Sequence, residues 1–401
     1  MLDVLVVGAG PAGAIAALVL ARAGAHVRLV DRATFPRDKL CGDTVNPGTL
    51  ARLTQLGLGD DIEARGLRVD GMVVTGEGGI TIEGRYPRGR FGRAIVRRDL
   101  DWLLLQRAIA AGCEFEPGVA VRHAIVHEHG VTRSVHGVAV GTNGREQEVA
   151  ARVTIAADGR HSTLAFGLGL ARHPAHPRRW AIGAYYENFM PMGPDGGQMG
   201  VRHPSDPGPD PGLTPSSFGE MHIRRGRYIG IAPVPGGLTN VCLVRPSGAG
   251  DAALGDPAAL LTQELARDPA LRGRAAGARL VTPPVVLGPL AVDVRAAAID
   301  GLLLAGDAAG FIDPMTGDGL RFATRGGELA AAAALRALEH GWSGVHRSLA
   351  AERRRTFAAK WRFNRALRAL VASPRAVDAA AVGARVAPGL LRAVIARAGD
   401  C

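Results

Sequence analysis

One stretch near the start of the sequence constrains the fold more than any other. It begins with an apolar run over residues 4–7 and ends in a helical run rich in Ala, Ile and Leu. Between the two lies a G-x-G-x-x-G turn made by Gly8, Gly10 and Gly13. In such a turn the first glycine permits the tight bend, the second lets the backbone approach a pyrophosphate, and the third lets helix pack on strand. The helix N-terminus then offers free N–H groups to the phosphates, so the stretch predicts dinucleotide binding.

A second predicted strand, residues 26–30, ends at Asp31 and is followed by Arg32. Asp31 lies about 20 residues after the glycines, where a carboxylate binds a ribose hydroxyl. The alternative is an ordinary glycine-rich turn in a chain rich in Ala and Gly. A strand before the glycines, a helix after them and an acid in register together favour the dinucleotide site.

Composition narrows the class of protein. The chain has 401 residues with 47% hydrophobic content, enough for about two domains with buried cores. No apolar run reaches the roughly 18 residues of a spanning helix, and no signal segment is visible, so we expect a cytoplasmic protein. The four cysteines are Cys41, Cys113, Cys242 and Cys401. Their scattered spacing indicates neither a metal site nor a disulfide framework.

The net charge of +11 comes almost entirely from arginine. A basic balance is typical of proteins that bind nucleic acid or anionic membranes. Here only 4% of residues are aromatic and no nucleic-acid-binding module is visible. We therefore interpret the charge as a bias of composition and expect no nucleic-acid partner.

The middle of the chain is typical of an antiparallel sheet. Short alternating runs occur over residues 72–82, and two longer runs flank Pro235-Gly236-Gly237, which predicts a hairpin. Residues 172–213 are rich in Pro and Gly and indicate sheet interrupted by long loops. We expect residues 71–92 and 166–284 to form a substrate domain. Residues 1–70, 93–165 and 285–340 are then left for the cofactor domain.

A second strand–loop–helix unit follows at residues 301–338. The strand ends at Gly306-Asp307, and Pro314, Gly317, Gly319 and Leu320 lead into the helix. Asp307 can accept a ribityl hydroxyl, and N–H groups at the helix start can stabilise the negative charge of a reduced flavin. Two such units closing on one ligand favour FAD over NAD.

These residues resemble a known family. The G-x-G-x-x-G turn with Pro11 and Ala12, the D-G pair at Asp158, the G-D pair at Asp307 and a segment beginning at Arg97 are similar to the motifs of group A flavoproteins. This fold is shared by para-hydroxybenzoate hydroxylase-like monooxygenases, flavin halogenases and geranylgeranyl reductases. The resemblance spans residues 1 to about 340 and implies an α/β fold: a Rossmann-type FAD-binding domain, an antiparallel-sheet (α+β) substrate domain, and C-terminal helices over 341–401.

Two segments resemble the geranylgeranyl reductases within this superfamily. Residues 35–42 are similar to their P-R-x-K-x-C-G segment, and residues 310–319 to their G-x-x-x-P-x-x-G-E-G, with Asp318 in place of Glu. The halogenase W-x-W-x-I-P segment is absent. The reductases' Y-x-W-x-F-P becomes Tyr-Ile-Gly-Ile-Ala-Pro at residues 228–233.

The resemblance and the local chemistry together give a set of expected site residues. Cys41 and Tyr186 are candidate proton donors. The expected cofactor-binding residues are Gly8, Gly10, Pro11, Ala12, Gly13, Asp31, Arg32, Lys39, Cys41, Gly42, Arg97, Val121, Asp158, Gly306, Asp307, Pro314, Gly317, Asp318, Gly319 and Leu320.

The leading hypothesis is an FAD-dependent oxidoreductase that reduces C=C bonds of an apolar, isoprenoid-type substrate. A monooxygenase that hydroxylates or epoxidises a lipid, polyketide or aromatic compound is the alternative, and a flavin-holding protein without turnover is a third. Electrons would come from transiently bound NAD(P)H or from a redox partner protein. In the C-terminal segment, Phe357 and Trp361 fall at helical spacing among arginines such as Arg353 and Arg362. This stripe predicts a helix that packs on the flavin domain or contacts an anionic membrane.

Overall fold

The computed structural model describes residues 2–130, 132–142, 145–176, 178–192, 218–248 and 250–399. The loops predicted beyond residue 192 up to Leu213, and Cys401, lie outside the described residues. The strands run β1 Leu2–Val7, β2 Val27–Asp31, β3 Thr44–Val45, β4 Leu67–Val69, β5 Gly71–Thr75, β6 Thr81–Arg85, β7 Gly92–Ala94, β8 Glu114–Pro117, β9 Val121–His129, β10 Thr132–Thr142, β11 Arg145–Ala156, β12 Ala171–Arg172, β13 Arg179–Glu187, β14 Phe218–Arg224, β15 Arg227–Val234, β16 Leu238–Pro246, β17 Arg279–Leu280, β18 Val285–Leu287, β19 Asp293–Val294, β20 Ala298–Ile299 and β21 Leu302–Leu304.

The helices run α1 Pro11–Arg22, α2 Pro47–Gln55, α3 Gly59–Arg65, α4 Arg97–Ala110, α5 Thr163–Gly167, α6 Pro257–Arg267, α7 Arg272–Ala275, α8 Gly319–His340, α9 Val345–Ala372, α10 Pro374–Val386 and α11 Pro388–Ala398. Short 3-10 turns lie at Glu77–Gly79, Pro87–Gly89, Ala252–Gly255, Gly306–Ala309 and Pro314–Thr316. The predicted helix over residues 320–338 is thus present and slightly longer. The sequence of residues 257–276 also predicts a helix, and the structure divides this stretch into α6 and α7.

The first sheet has a parallel centre in the order β21-β11-β1-β2-β8. Strand β20 pairs antiparallel at one edge, and β10 and β9 extend from β11 as an antiparallel arm. Its central strands are apolar and buried on both faces, as parallel strands under helices require. Helices α1 and α8 pack together on it so closely that a Cβ added at Gly327 would lie 2.4 Å from the carbonyl oxygen of Ala12.

The second sheet is mostly antiparallel, in the order β17-β13-β16-β15-β14-β5-β6, with β18 also beside β13. Its centre is the predicted hairpin, in which β15 and β16 pair from Val234↔Leu238 outward around Pro235-Gly236-Gly237. Both glycines of that turn have positive φ, which explains their presence there. A parallel sheet bearing helices and a separate antiparallel sheet confirm the predicted fold class.

The second sheet has two different faces because side chains alternate along each strand. On one face Ile182, Ala184 and Tyr186 of β13 form a closed core with α6. On the other face Ala181 belongs to an apolar cluster that includes Leu40. Leu40 packs directly on Gly183, where an added Cβ would meet its Cδ1 at 2.3 Å. The loop of residues 32–43 therefore lies against this second face, which we call the inner face.

The C-terminal helices α9 to α11 pack against the rest of the protein. Phe357 of α9 is buried in the core of the first sheet, Val371 joins the inner-face cluster, and Ile395 of α11 lies on Gly84 of β6. This confirms the packing that the apolar stripe predicted. Arg353 is buried rather than solvated and donates to the carbonyl oxygen of Ala309 at 2.7 Å. No helix in the described part of the chain is long and apolar enough to cross a membrane.

Candidate active site

The three glycines of the first turn have separate steric reasons to be glycine. Gly8 has φ +100°, and a Cβ there would lie 2.5 Å from the carbonyl oxygen of Ala157. A Cβ on Gly13 would lie 1.8 Å from the carbonyl oxygen of Gly8, so helix and turn could not meet. On Gly10 the nearest atom would be Nη2 of Arg37 at 3.6 Å, an ordinary contact. The protein itself leaves room at Gly10, as expected where a ligand's phosphates approach the backbone.

Asp31 lies at the end of β2, as predicted, and its carboxylate binds this turn. Oδ2 accepts from the backbone N–H of Ala9 at 2.7 Å, and Oδ1 accepts from that of Ala33 at 2.8 Å. The backbone N–H of Val119 donates to the carbonyl oxygen of Asp31 at 2.9 Å. This contact brings the segment that leads into Val121 to the same sheet edge. Arg32, next in the chain, is exposed.

A cluster of cations surrounds Asp307 at the end of the second strand–loop–helix unit. Burial raises the pKa of Asp307, although Lys39, Arg160 and Arg97 act in the opposite direction. The pKa of Lys39 is lowered to about 8, first by desolvation and then by Arg160 and Arg97, although its side chain reaches the protein surface. One carboxylate among three cations leaves an excess of positive charge, which suits an anionic ligand such as a pyrophosphate.

Several buried polar atoms in this region have no hydrogen-bond partner within the described ranges. They are Nη1 of Arg37, Oδ1 of Asp158 and Nε of Arg160. The other oxygen of Asp158 accepts from the N–H of Thr163, the first residue of α5, at 2.8 Å, so Asp158 keeps one oxygen unused. Buried polar groups are normally paired in folded proteins. Two donors and one acceptor left open near a glycine cradle fit FAD, which presents phosphate oxygens and polyol hydroxyls.

The loop between β21 and α8 completes the cradle. Gly306 has φ +59° and lies against Ala12, since an added Cβ would meet the Ala12 Cβ at 2.7 Å. Pro314 begins a 3-10 turn that ends at Gly317 with φ +66°, and α8 starts two residues later with Gly319 and Leu320. The first N–H groups of a helix have no intrahelical acceptor and carry a positive dipole. This helix start can stabilise negative charge on a bound ring.

Asp318 is also expected at the cofactor, but its carboxylate lies in the protein interior. It is buried and lies 3.0 Å from the ammonium of Lys360 on α9. Its second oxygen accepts from the hydroxyl of Thr316 at 2.8 Å. Asp318 therefore ties the loop before α8 to the C-terminal helix α9.

Cys41 and Arg97 lie together at the start of α4. Burial alone would lower the pKa of Arg97, but the Asp101 carboxylate and the adjacent Cys41 raise it above its ordinary value. Two hydrogen bonds, at 2.9 and 3.1 Å, join Arg97 to Asp101, and Arg37 reaches the same carboxylate at 3.2 Å. Arg97 is thus fixed as a permanent cation beside the Cys41 thiol. Gly42 follows and is exposed, with nothing within 4 Å of an added Cβ.

Sequence reasoning missed the residues that hold this loop on the second sheet. Asp43 is fully buried and accepts from the Tyr185 hydroxyl at 2.6 Å, and Asn240 donates to the carbonyl oxygen of Cys41 at 2.8 Å. An Asp directly after the Cys-Gly pair was the available signal for Asp43. Tyr186, the predicted candidate, points to the opposite face and packs on Phe189 among the residues under α6. The structure brings Tyr185, and not Tyr186, to Cys41.

Known proteins resemble this chain over most of its length. The FAD binding domain family matches residues 1–184. Menaquinone reductase of Mycobacterium tuberculosis is 32% identical over 339 residues, which cover 82% of this chain and 75% of that protein. Digeranylgeranylglycerophospholipid reductase 2 of Methanopyrus kandleri is 30% identical, with coverages of 84% and 78%. The chain belongs to the geranylgeranyl reductase-like family of FAD-dependent oxidoreductases.

Solved structures share the fold of this enzyme. The flavin-dependent brominase Bmp2 superposes with a TM-score of 0.80 at 19% identity, covering 100% of this chain and 94% of the other. A geranylgeranyl bacteriochlorophyll reductase-like protein of Thermoplasma acidophilum gives 0.74 at 22% identity, with coverages of 94% and 89%. FAD is the cofactor of the enzyme, as predicted. The individual cofactor-binding and catalytic residues remain predictions.

Proposed function

We propose that this enzyme reduces C=C bonds in the isoprenoid chain of an apolar substrate. The relatives at 30–32% identity are named for reductions of menaquinone and of a digeranylgeranyl lipid. Both names describe molecules with long prenyl chains. The proposal requires a hydrocarbon-binding surface beside the flavin site.

The inner face of the second sheet supplies such a surface, and this observation carries the proposal. This face and the segments packed on it form one apolar cluster, with buried members Ala181, Tyr228, Val244, Leu290 and Val371 and half-buried members Leu40, Met221, Ile223, Cys242, Leu287, Phe311, Met315 and Leu370. Leu40 belongs to the Cys41 loop, and Phe311 and Met315 belong to the loop after Asp307. Half-buried apolar side chains gathered between two flavin-site loops suit a prenyl chain, because binding removes their apolar area from water.

Different residues of the chain would donate the proton, stabilise the resulting thiolate and bind the substrate. Bound FAD in its reduced form supplies a hydride equivalent to one carbon of the double bond. The other carbon needs a proton, and the Cys41 S–H group is the predicted donor. Arg97 beside it stabilises the thiolate that remains after proton transfer, since an adjacent cation favours the charged form. The inner face holds the chain and excludes water.

The test is a product analysis with the FAD-loaded enzyme. We would reduce it chemically or with NAD(P)H, supply prenylquinones and geranylgeranyl lipids with and without O₂, and weigh the products. A gain of two hydrogens without O₂ is the expected result. A gain of one oxygen, only in air, would make the protein a monooxygenase. Stoichiometric FAD with no turnover of any candidate would make it a flavin-holding protein.

An anionic membrane surface is the second proposed partner, since prenyl lipids reside in bilayers. The outer side of α9 exposes Arg354, Arg355, Arg362 and Arg365. Exposed cations near a bilayer gain about 1 kcal/mol each from anionic lipid. Replacing Arg362 and Arg365 by Glu should reduce co-sedimentation with anionic liposomes. The charge-matched control replaces the exposed Arg267 and Arg272 by Glu, and equal recovery of the two variants in the pellet would refute the contact.

A further inference from the structure

Asp43 is a buried carboxylate with no role in the proposed chemistry, yet it lies at the junction of three elements. We propose that Asp43 is a positioning residue that fixes Cys41 beside Arg97 and sets the reactivity of its thiol. This inference deepens the proposed function and rests on it for its catalytic meaning. The control of the Cys41 thiol by the Asp43 carboxylate can be tested without any substrate.

Direct contacts join Asp43 to the second sheet. Oδ2 accepts from the hydroxyl of Tyr185 at 2.6 Å and from the side-chain amide of Asn240. Tyr185 and Asn240 are cross-strand partners of β13 and β16, so both project from the inner face side by side. The same amide donates to the carbonyl oxygen of Cys41 at 2.8 Å. Asn240 therefore hydrogen-bonds both Cys41 and Asp43, and Tyr185 adds a second bond to Asp43.

The other carboxylate oxygen and the backbone carbonyl of Asp43 join the Cys41 loop to the segment that leads into α4. Oδ1 accepts from the backbone N–H of Arg97 at 3.2 Å, and the carbonyl oxygen accepts from the N–H of Ile95 at 2.8 Å. Asp43 adopts φ +51°, a left-handed conformation that Asp and Asn tolerate best among residues with side chains. The turn after Cys41 is thus held by hydrogen bonds in an unusual conformation.

Three titratable groups that face Asp43 keep their charge state near neutral pH, whereas Asp43 itself changes charge there. Burial raises the pKa of Asp43 to about 6, against the hydrogen bonds of Tyr185 and Asn240 and the charge of Arg97. Arg97 on α4 stays cationic, since its pKa is raised. Tyr185 on β13 and Cys242 on β16 stay neutral, because burial raises the pKa of each.

Ionisation of Asp43 should therefore lower the reactivity of the Cys41 thiol. An ionised carboxylate disfavours a nearby thiolate, so ionised Asp43 should slow alkylation of Cys41, by up to about ten-fold. Asp43→Asn keeps a residue that tolerates positive φ but removes the charge. The variant should resemble the wild type at low pH, where Asp43 is protonated.

The experiment measures alkylation of Cys41 by iodoacetamide in the FAD-loaded enzyme, followed by peptide mass spectrometry from pH 5 to 7. Stopping at pH 7 keeps Lys39, with its pKa of about 8, mostly protonated. The ratio of the Asp43→Asn rate to the wild-type rate should approach one at pH 5 and rise several-fold, up to about ten-fold, by pH 7. Tyr185→Phe should move the wild-type transition to higher pH. The hydrogen bond from Tyr185 lowers the pKa of Asp43, so its loss raises that pKa.

A matched control separates this effect from general loosening. Asp70→Asn removes another buried carboxylate, which pairs with Arg68 at 2.7 Å on a different loop. Its Cys41 rate should equal that of the wild type at every pH. An Asp43→Asn ratio that stays constant from pH 5 to 7 would overturn the inference, even if the enzyme reduces prenyl chains. The alkylation result does not depend on which substrate is reduced, so failure of the two proposals can be told apart.

Turnover gives the second readout once a substrate is known. Asp43→Asn should retain its FAD and raise kcat at pH 7, because the thiolate left by proton transfer no longer lies near an ionised carboxylate. KM should change less, because the hydrocarbon surface is untouched. Wild-type kcat should fall as the pH rises through about 6 and Asp43 ionises, and this fall should be absent from the variant. An unchanged kcat and pH profile would show that the contacts of Asp43 serve folding alone.

Discussion

The ammonium of Lys360 lies 3.0 Å from a carboxylate oxygen of Asp318, and both side chains are buried. The same ammonium donates to the carbonyl oxygens of Arg397 and Ala398, at 2.6 and 3.1 Å. One cation on α9 therefore joins the start of α8, next to the flavin loop, to the end of α11.

The first prediction concerns this pair. Lys360→Met should lower the free energy of unfolding by about 3–5 kcal/mol, because it leaves the Asp318 carboxylate buried without a counter-charge. The double variant with Asp318→Asn should recover part of the loss. Urea denaturation of the three proteins measures both effects. Equal stability of the single and double variants would contradict this account.

Two glycines of the first turn should respond differently to the same change. Gly10→Ala should leave the thermal midpoint of the FAD-free protein unchanged, because its Cβ meets only an ordinary contact at 3.6 Å. It should weaken FAD binding about ten-fold or more, since the Cβ projects where a pyrophosphate approaches. Fluorescence titration of the FAD-free protein with FAD measures this loss.

Gly13→Ala is the matched comparison for Gly10→Ala. Its Cβ would lie 1.8 Å from the carbonyl oxygen of Gly8, so the turn must move. We expect the FAD-free protein to lose about 1–3 kcal/mol of stability, as for other overpacked sites. Equal melting temperatures of the two variants would show that the turn tolerates a methyl group at both positions.

Glu220 should make the second sheet sensitive to acid. It is buried, accepts from His222 at 2.9 Å and is held by two hydrogen bonds from Arg274 at 2.7 Å. Burial raises the pKa of Glu220, but His222 and Arg274 outweigh it and lower the value overall. A carboxyl with a lowered folded-state pKa stabilises the protein fully above its ordinary value of 4.5 and loses that effect as the pH falls through the lowered value.

The measurement compares wild type with Glu220→Gln in urea from pH 7 to pH 3. The wild type should be more stable by about 3 kcal/mol at pH 7, and the difference should shrink below pH 4.5. A difference that stays constant over this range would mean that ionisation of Glu220 contributes nothing.

Gly230 should control the space on the inner face. Its φ is not positive, and an added Cβ would meet nothing closer than 3.9 Å, so neither backbone nor packing requires glycine there. Gly230→Leu should keep its stability and FAD content and raise KM for a prenyl substrate about ten-fold, because the side chain fills part of the binding surface. Steady-state kinetics with unchanged FAD affinity as the control would test this, and an unchanged KM would move the chain-binding surface elsewhere.

The local parts of this fold were predictable from the sequence. Glycines such as Gly8 and Gly13, followed by an Ala-rich helix, fix a strand–turn–helix unit within about 20 residues, where local sterics decide. The hairpin at Gly236 and the helix after Gly319 are equally local. The position of Asp31 followed for the same reason.

Long-range polar contacts were not predictable. Tyr185 and Tyr186 stand in an apolar strand, where alternation alone does not say which parity faces the cofactor. Only the packing of Leu40 on Gly183 decides it. Lys360 meets Asp318 across 42 positions of sequence, and Asp43 meets Asn240 across 197. Such partners depend on how whole elements are assembled.

Two tyrosines of the inner face bind two aspartates of the flavin-site loops in the same way. Tyr185 donates to Asp43 and Tyr228 to Asp313, each at 2.6 Å, at separate points of contact. Two separated short bonds resist sliding and rotation of the sheet over those loops, which a single bond would permit. The sheet and the flavin cradle should consequently move as one rigid body during turnover. On the proposed function, a prenyl substrate would then enter and leave along the inner face, without a hinge between the two sheets.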